Sequence, residues 1–383
     1  MKNIFFVLLL FSVEIHAQTD NYVVDALVNP KQQEQIITVG GLNADIHGFT
    51  NEAIQLAVDA LSDNGGTVML NEGQFEIKAP VRLSSNINLI GSGTETILRR
   101  IDGYNSNFII DADFGELKIT VEDASGFDVG MSIQVTDNKW SSCWNVSTAV
   151  ITDIVDNIIY FDTYLIRDYN SEDNGKVTNA GSCVSINGEE NISLSNFTID
   201  GNKSKNDILD GCNGGGIAIL KSKDVIIENI HVKDFNGEGI TWQITENITV
   251  RDCEISGCTN MGLHPGSGSP NTRIENNNSH HNKVGLFICW RVSHSLVKAN
   301  QFHNNSDCGI STGHKDTDVV FDNNHIYENG TDGVYFRGED SKNSPHRNSF
   351  INNTIENNGA LNGGYGFNIN GNATDLVLKD NII

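Results

Sequence analysis

NQFHNNSDCGISTGH, residues 300–314, and NHIYENGTDGVYFRG, residues 324–338, follow one pattern. Each opens on Asn, places an apolar residue two positions on (Phe302, Ile326), and reaches a Gly followed by a branched aliphatic residue. Extended in both directions, the Gly column becomes Gly216-Ile217, Gly239-Ile240, Gly262-Leu263, Gly285-Leu286, Gly309-Ile310, Gly333-Val334 and Gly366-Phe367, at intervals of 23, 23, 23, 24, 24 and 33 residues. A second column runs Ile227, Val250, Ile274, Val297, Phe321, Phe350, Leu378. Three residues beyond it comes Ile230, Cys253, Asn277, Asn300, Asn324, Asn353, Asn381, and two beyond that Val232, Ile255, Ser279, Phe302, Ile326, Ile355, Ile383. Alternation within each short run has period 2, the mark of strands. A unit this short cannot bury an apolar face alone, so it must stack on copies of itself. The Leu framework of leucine-rich repeats is absent, and a propeller blade is longer. The fold class is therefore all-β, a parallel β-helix in which the Asn column stacks as an amide ladder.

Composition agrees. Gly is abundant at 37 residues, Pro scarce at five, and hydrophobic content is only 38 %, which suits many short strands joined by tight turns. A net charge of −24 argues against nucleic acid as a partner. An anionic ligand would need a local cluster of cations. At the N-terminus, Lys2, the apolar run Ile4–Val13 and the small Ala17 read as a signal peptide over residues 1–17, too short to span a bilayer; no other membrane insertion is expected. Export follows, to the periplasm or the medium. Seven cysteines are an odd number; Cys253 with Cys258 and Cys289 with Cys308 are candidate pairs, and buried thiol fillers are the commoner fate.

Residues 50–62, TNEAIQLAVDALS, read as an amphipathic helix with Thr50 as N-cap and Ile54, Ala57, Val58 and Leu61 inward. GGTVML (65–70), GQF (73–75) and LIGSG (89–93) follow. This opening resembles that of the pectate-lyase-like superfamily of right-handed parallel β-helices, in which such a helix caps the solenoid. The expected organisation is a signal peptide (1–17), cap and first coils (18–112), an inserted antiparallel β subdomain (113–178), and regular coils (179–383) whose C-terminal end is uncapped. Residues 201–216 and 338–347 read as further insertions.

Stacking turns sequence columns into spatial rows spaced roughly 4.8 Å apart. Outward positions are bland before Gly239. The next coils present Trp242 and Gln243, then His264, then Trp290 and Arg291, then His314, Lys315 and Asp316, then Tyr335, Arg337 and Glu339. We take His264, Arg291, His314, Lys315, Asp316 and Arg337 as candidate catalytic groups. Trp242, Gln243, Trp290, Tyr335 and Glu339 are candidate glycan contacts, although Trp242 falls nominally inward. The plain alternative is an exposed ion-pair network. Lys315 and Arg337, 22 residues apart, resemble the Lys base and Arg acid of β-helical alginate and chondroitin lyases. That resemblance implies β-elimination on a uronate-containing polysaccharide; a monomer is expected. The resemblance also admits calcium as a cofactor, although the coil that would hold the ion offers Cys289, Trp290 and Arg291. Arg291 and His264 would then meet the carboxylate. Asp316 and Glu339 offer a carboxylate pair for glycoside hydrolysis instead, and a non-catalytic glycan-binding solenoid is the third reading. His280, His281 and His303 suggest a metal, but two stacked histidines without a placed carboxylate are weak grounds for one. The Asp-Pro-His motif of epimerases is missing: His264-Pro265 has the reverse order.

Overall fold

A computed structural model describes residues 35–383, apart from Gly211 and Asn213; the expected signal peptide lies outside the described residues. One compact unit runs from Ile36 to Ile383. Its coils carry two large sheets, of nineteen and nine strands, and their pairings from coil to coil are parallel. In the larger sheet Leu194, Ile227, Val250, Ile274, Val297, Phe321, Phe350 and Leu378 are successive register partners. The inward column is therefore continuous, and Phe321 and Phe350 stack at 4.1 Å.

The Gly column has a steric cause. A Cβ on Gly239 would lie 2.5 Å from the carbonyl oxygen of Gly262, and one on Gly285 2.7 Å from that of Gly309. Each glycine sits where the backbone of the next coil comes too close for any side chain.

The Asn column forms the expected ladder. The Nδ2 groups of Asn277, Asn300, Asn324 and Asn353 each donate to the Oδ1 of the next asparagine at 2.9 Å. Each also donates to a carbonyl of the preceding coil, so the buried amides are satisfied. A second ladder turns the next corner: Asn305 and Asn329 donate from Nδ2 to the Oδ1 of Asn329 and Asn358, and Asn305 Oδ1 accepts from the backbone N of Asn282.

The helix Asn51–Leu61 closes the first coil, with Thr50 Oγ1 accepting from Ala53 N. Ile54, Ala57, Val58 and Leu61 are buried in the main core. Among the described residues no helix is long and apolar enough to cross a membrane. Between Asn105 and Thr178 the chain leaves the solenoid and builds a six-stranded antiparallel sheet with its own core around Ile133, Ile151, Ile159 and Tyr169. All seven cysteines are unpaired, four of them buried.

Candidate active site

The nine-stranded sheet turns one row of side chains outward. Its register runs Arg82, Ser185, Ala218, Thr241 and His264, then Phe287, Ser311, Tyr335 and Asn368. Beyond the strands of two successive coils the backbone makes the same unusual turn. Trp290 and Arg291 have φ of 56° and 65°, and His314 and Lys315 have 52° and 67°. Among the described residues these are the only two neighbouring pairs of non-glycine residues in the left-handed region; such conformations cost roughly 1–3 kcal/mol each and gather at functional sites. Arg291 N donates to His314 O at 3.0 Å, which ties the two turns together and aligns their side chains.

His314 is the centre of the resulting cluster. Its ring lies against Trp290 with centroids 4.7 Å apart. Nε2 is 2.8 Å from Glu339 Oε1, and Nδ1 is 3.2 Å from Cys289 Sγ. A carboxylate accepts but cannot donate, so Nε2 carries the proton and Nδ1 keeps its lone pair. Burial, helped by the positive charge of Arg337, lowers the His314 pKa below the ordinary 6.5. Burial pushes the Cys289 thiol up to about 12, so the sulfur offers Nδ1 only a weak S–H.

Arg337 reaches back beneath this cluster. Nη1 donates to Ser311 Oγ at 2.6 Å, and Nη2 donates to Ile288 O at 2.5 Å. The guanidinium covers the Phe287 ring at 4.3 Å and lies 3.5 Å from Asp316 Oδ2. A Cβ at Gly313 would be 2.8 Å from Arg337 Nε, so glycine there makes room for the arginine. Nε itself has no hydrogen-bond partner. Lys315 and Arg291 are exposed and, among the described residues, neither is in an ion pair. Tyr335 stands half-buried on the strand beside Ser311.

Three of the sequence expectations need correction. Trp242 is fully buried, with Nε1 donating to Thr272 Oγ1; it faces inward as strand parity requires and is no glycan platform. Gln243 is buried as well, bonded to Thr241 Oγ1 and filling the space beside Gly266. Asp316 is 0 % exposed and accepts from Gly313 N and Val292 N. It shapes the turn from within and cannot face Glu339 across a substrate. Burial drives its pKa up to about 7, against the pull of Arg337. Glu339, for its part, is spent on holding His314.

His264 is buried one coil before Phe287, its ring edge-on to that residue at 5.2 Å and its Nδ1 2.8 Å from Glu238 Oε1. Sequence reading did not single out Glu238 or Phe287 and gave Cys289 no part in the site; the only available signal was their adjacency to the Gly column and to Trp290. On the opposite sheet His280 and His303 stack at 4.8 Å and His280 bonds Glu254. No group of three or more His, Cys, Asp or Glu side chains that could hold a metal ion occurs among the described residues. The calcium expectation lacks donors, since Cys289, Trp290 and Arg291 occupy the coil that would supply them.

With this geometry in hand, comparison with known proteins is informative. The chain's fold is similar to a mannuronan C-5 epimerase A-module of Azotobacter vinelandii, at 18 % identity and a TM-score of 0.54, covering 86 % of this chain and 75 % of that one. It is also similar to an alginate lyase from a Paenibacillus species, at 12 % identity and a TM-score of 0.50, covering 90 % and 99 %. No curated protein matches the sequence. Residues 266–383 match the model of the right-handed β-helix region. Residues 37–287, well over half of the chain, match a second family model. The chain belongs to the rhamnogalacturonase A/epimerase, pectate-lyase-like family.

Proposed function

We propose that the protein is an exported polysaccharide lyase that cleaves a uronate-containing glycan by β-elimination. The observation that carries the reading is His314, whose Nε2 is held by Glu339 and whose Nδ1 meets only the weak S–H of Cys289. It lies beside Lys315 in sequence and under the field of Arg337, in a chain of net charge −24. Lys315 and Arg291 meet the uronate carboxylate, which makes the neighbouring C–H more acidic. His314 Nδ1 takes that proton, the C–H electron pair becomes the new C=C bond, and the glycosidic C–O bond breaks. The leaving oxygen takes a proton from solvent. Arg337, largely buried, stabilises the developing negative charge through its field.

The base role falls to His314 rather than Lys315 because His314 is oriented by two neighbours and burial keeps it neutral. Lys315 is exposed. Family membership supports a carbohydrate reaction, and the similar structures bear the names of an epimerase and a lyase acting on uronates. Hydrolysis is less well served, since Asp316 has no exposed surface.

The test is ultraviolet absorbance of the unsaturated uronate while the protein meets alginate and polygalacturonate. Rising absorbance that is lost in His314→Ala supports the lyase. Solvent deuterium entering the polymer without absorbance would mean that the proton is returned, as in an epimerase. New reducing ends without absorbance would replace elimination by hydrolysis, and binding alone would leave a glycan-binding solenoid.

A further inference from the structure

Outward residues of an open sheet face should be partly exposed, and at both ends of the nine-stranded sheet they are. Arg82 and Ser185 on one side, and Phe287, Tyr335 and Asn368 on the other, all reach the surface, while Ser311 between Phe287 and Tyr335 is buried under Arg337. Between them the same row is sealed at Thr241 and His264, which are 1 % and 4 % exposed, while Ala218 before them lines a cleft on the cap side. The cover comes from two separate insertions that meet there. Gln134 of the antiparallel subdomain donates from Nε2 to Ile208 O at 2.9 Å and accepts from Asp210 N at 2.7 Å. Cys212 N donates to Cys143 O at 3.1 Å. Toward the solenoid, Leu209 N donates to Asn236 O at 2.7 Å, and the Leu209 side chain is buried in the main core. Glu238 and His264 form the buried floor.

The result is a wall across the sheet face, bonded to the subdomain above and to a coil below. On its cap side lies a cleft of about 880 Å³ lined by Arg82, Ser185 and Gln55 among others. On its other side lies the His314 cluster. The insertions that meet over Thr241 and His264 stand in the path of any polymer running along the sheet.

We infer that the wall closes one end of the substrate groove, so that the enzyme engages a chain terminus and works from the end of its polymer. The inference rests on the His314 cluster being the site of glycan binding. A binding count separates it from the chemistry. His314→Ala protein is titrated with alginate fractions of several defined chain lengths, and the number of protein molecules per chain is read by analytical ultracentrifugation. One per chain, whatever the length, is expected. A count that grows with chain length overturns the wall as a terminus, even if absorbance has established the lyase. A constant count without absorbance from the wild type overturns only the lyase reading, and no binding to alginate or polygalacturonate overturns both. In the active enzyme, absorbance should rise well before viscosity falls; an immediate viscosity drop counts against the wall. Shortening residues 139–145 to a glycine pair should let the count grow with length, and an unchanged count in a folded variant would show that the wall is not the cause.

Discussion

At the scale of single residues, His314 and Asp316 sit two positions apart and do opposite things. His314→Ala should lower kcat by about 10²–10⁴-fold, the usual worth of a general base, with little change in melting temperature. Because its pKa is lowered, His314 stays a competent base under mild acid. The acid limb of kcat/KM should therefore have its midpoint below 6.5, and Glu339→Gln should lower it further by removing a charge that favours the imidazolium. Asp316→Ala should act through the fold instead. It leaves two backbone N–H groups without their acceptor and the largely buried Arg337 charge without its ion-pair partner, a loss of about 3–5 kcal/mol, seen as a lower denaturant midpoint. Trp290→Ala should raise KM with stability unchanged, whereas Trp242→Ala should cost about 3–5 kcal/mol as a core truncation.

At the scale of the element, two corners of the later coils are ladders in which one amide satisfies the next coil. Asn300→Ala removes the acceptor for Asn277 N and Nδ2 and the donor to Ile274 O. Unpaired buried groups cost about 1–3 kcal/mol each, so the loss should exceed that of Asn304→Ala, a half-buried corner residue, in the same unfolding experiment. Gly285→Ala should be worse than its added volume suggests, because the Cβ meets a backbone oxygen that cannot move without shifting the neighbouring coil.

At the scale of the whole molecule, contacts run mainly between adjacent coils, and stability is close to a sum of nearest-neighbour terms. Damage should therefore stay local. Asn353→Ala is expected to raise amide hydrogen exchange in the coils after residue 320 while the helix Asn51–Leu61 and its coils keep their protection. Uniform loss of protection would instead mean one cooperative unit.

The repeat was legible in the chain because stacking forces like residues into register: Gly239, Gly262 and Gly285 recur since the same close approach recurs, and Asn277, Asn300 and Asn324 since each amide needs the next. Inward and outward alternation marks Trp242 as nominally inward, yet its place among the outward aromatic residues makes it read as a glycan contact, which its full burial overturns. The placing of His314 against Glu339 was not legible. Twenty-five residues separate them, and they meet only because the turn at His314 and Lys315 adopts left-handed angles that no periodicity announces. Asp316 read as a surface acid beside Lys315, yet the same turn points it into the molecule. The wall was least legible of all: Gln134 and Ile208 lie in two insertions that break the repeat. Local propensity carries periodic elements, while contacts between irregular segments depend on shape and hydrogen bonding that exist only once the chain is folded.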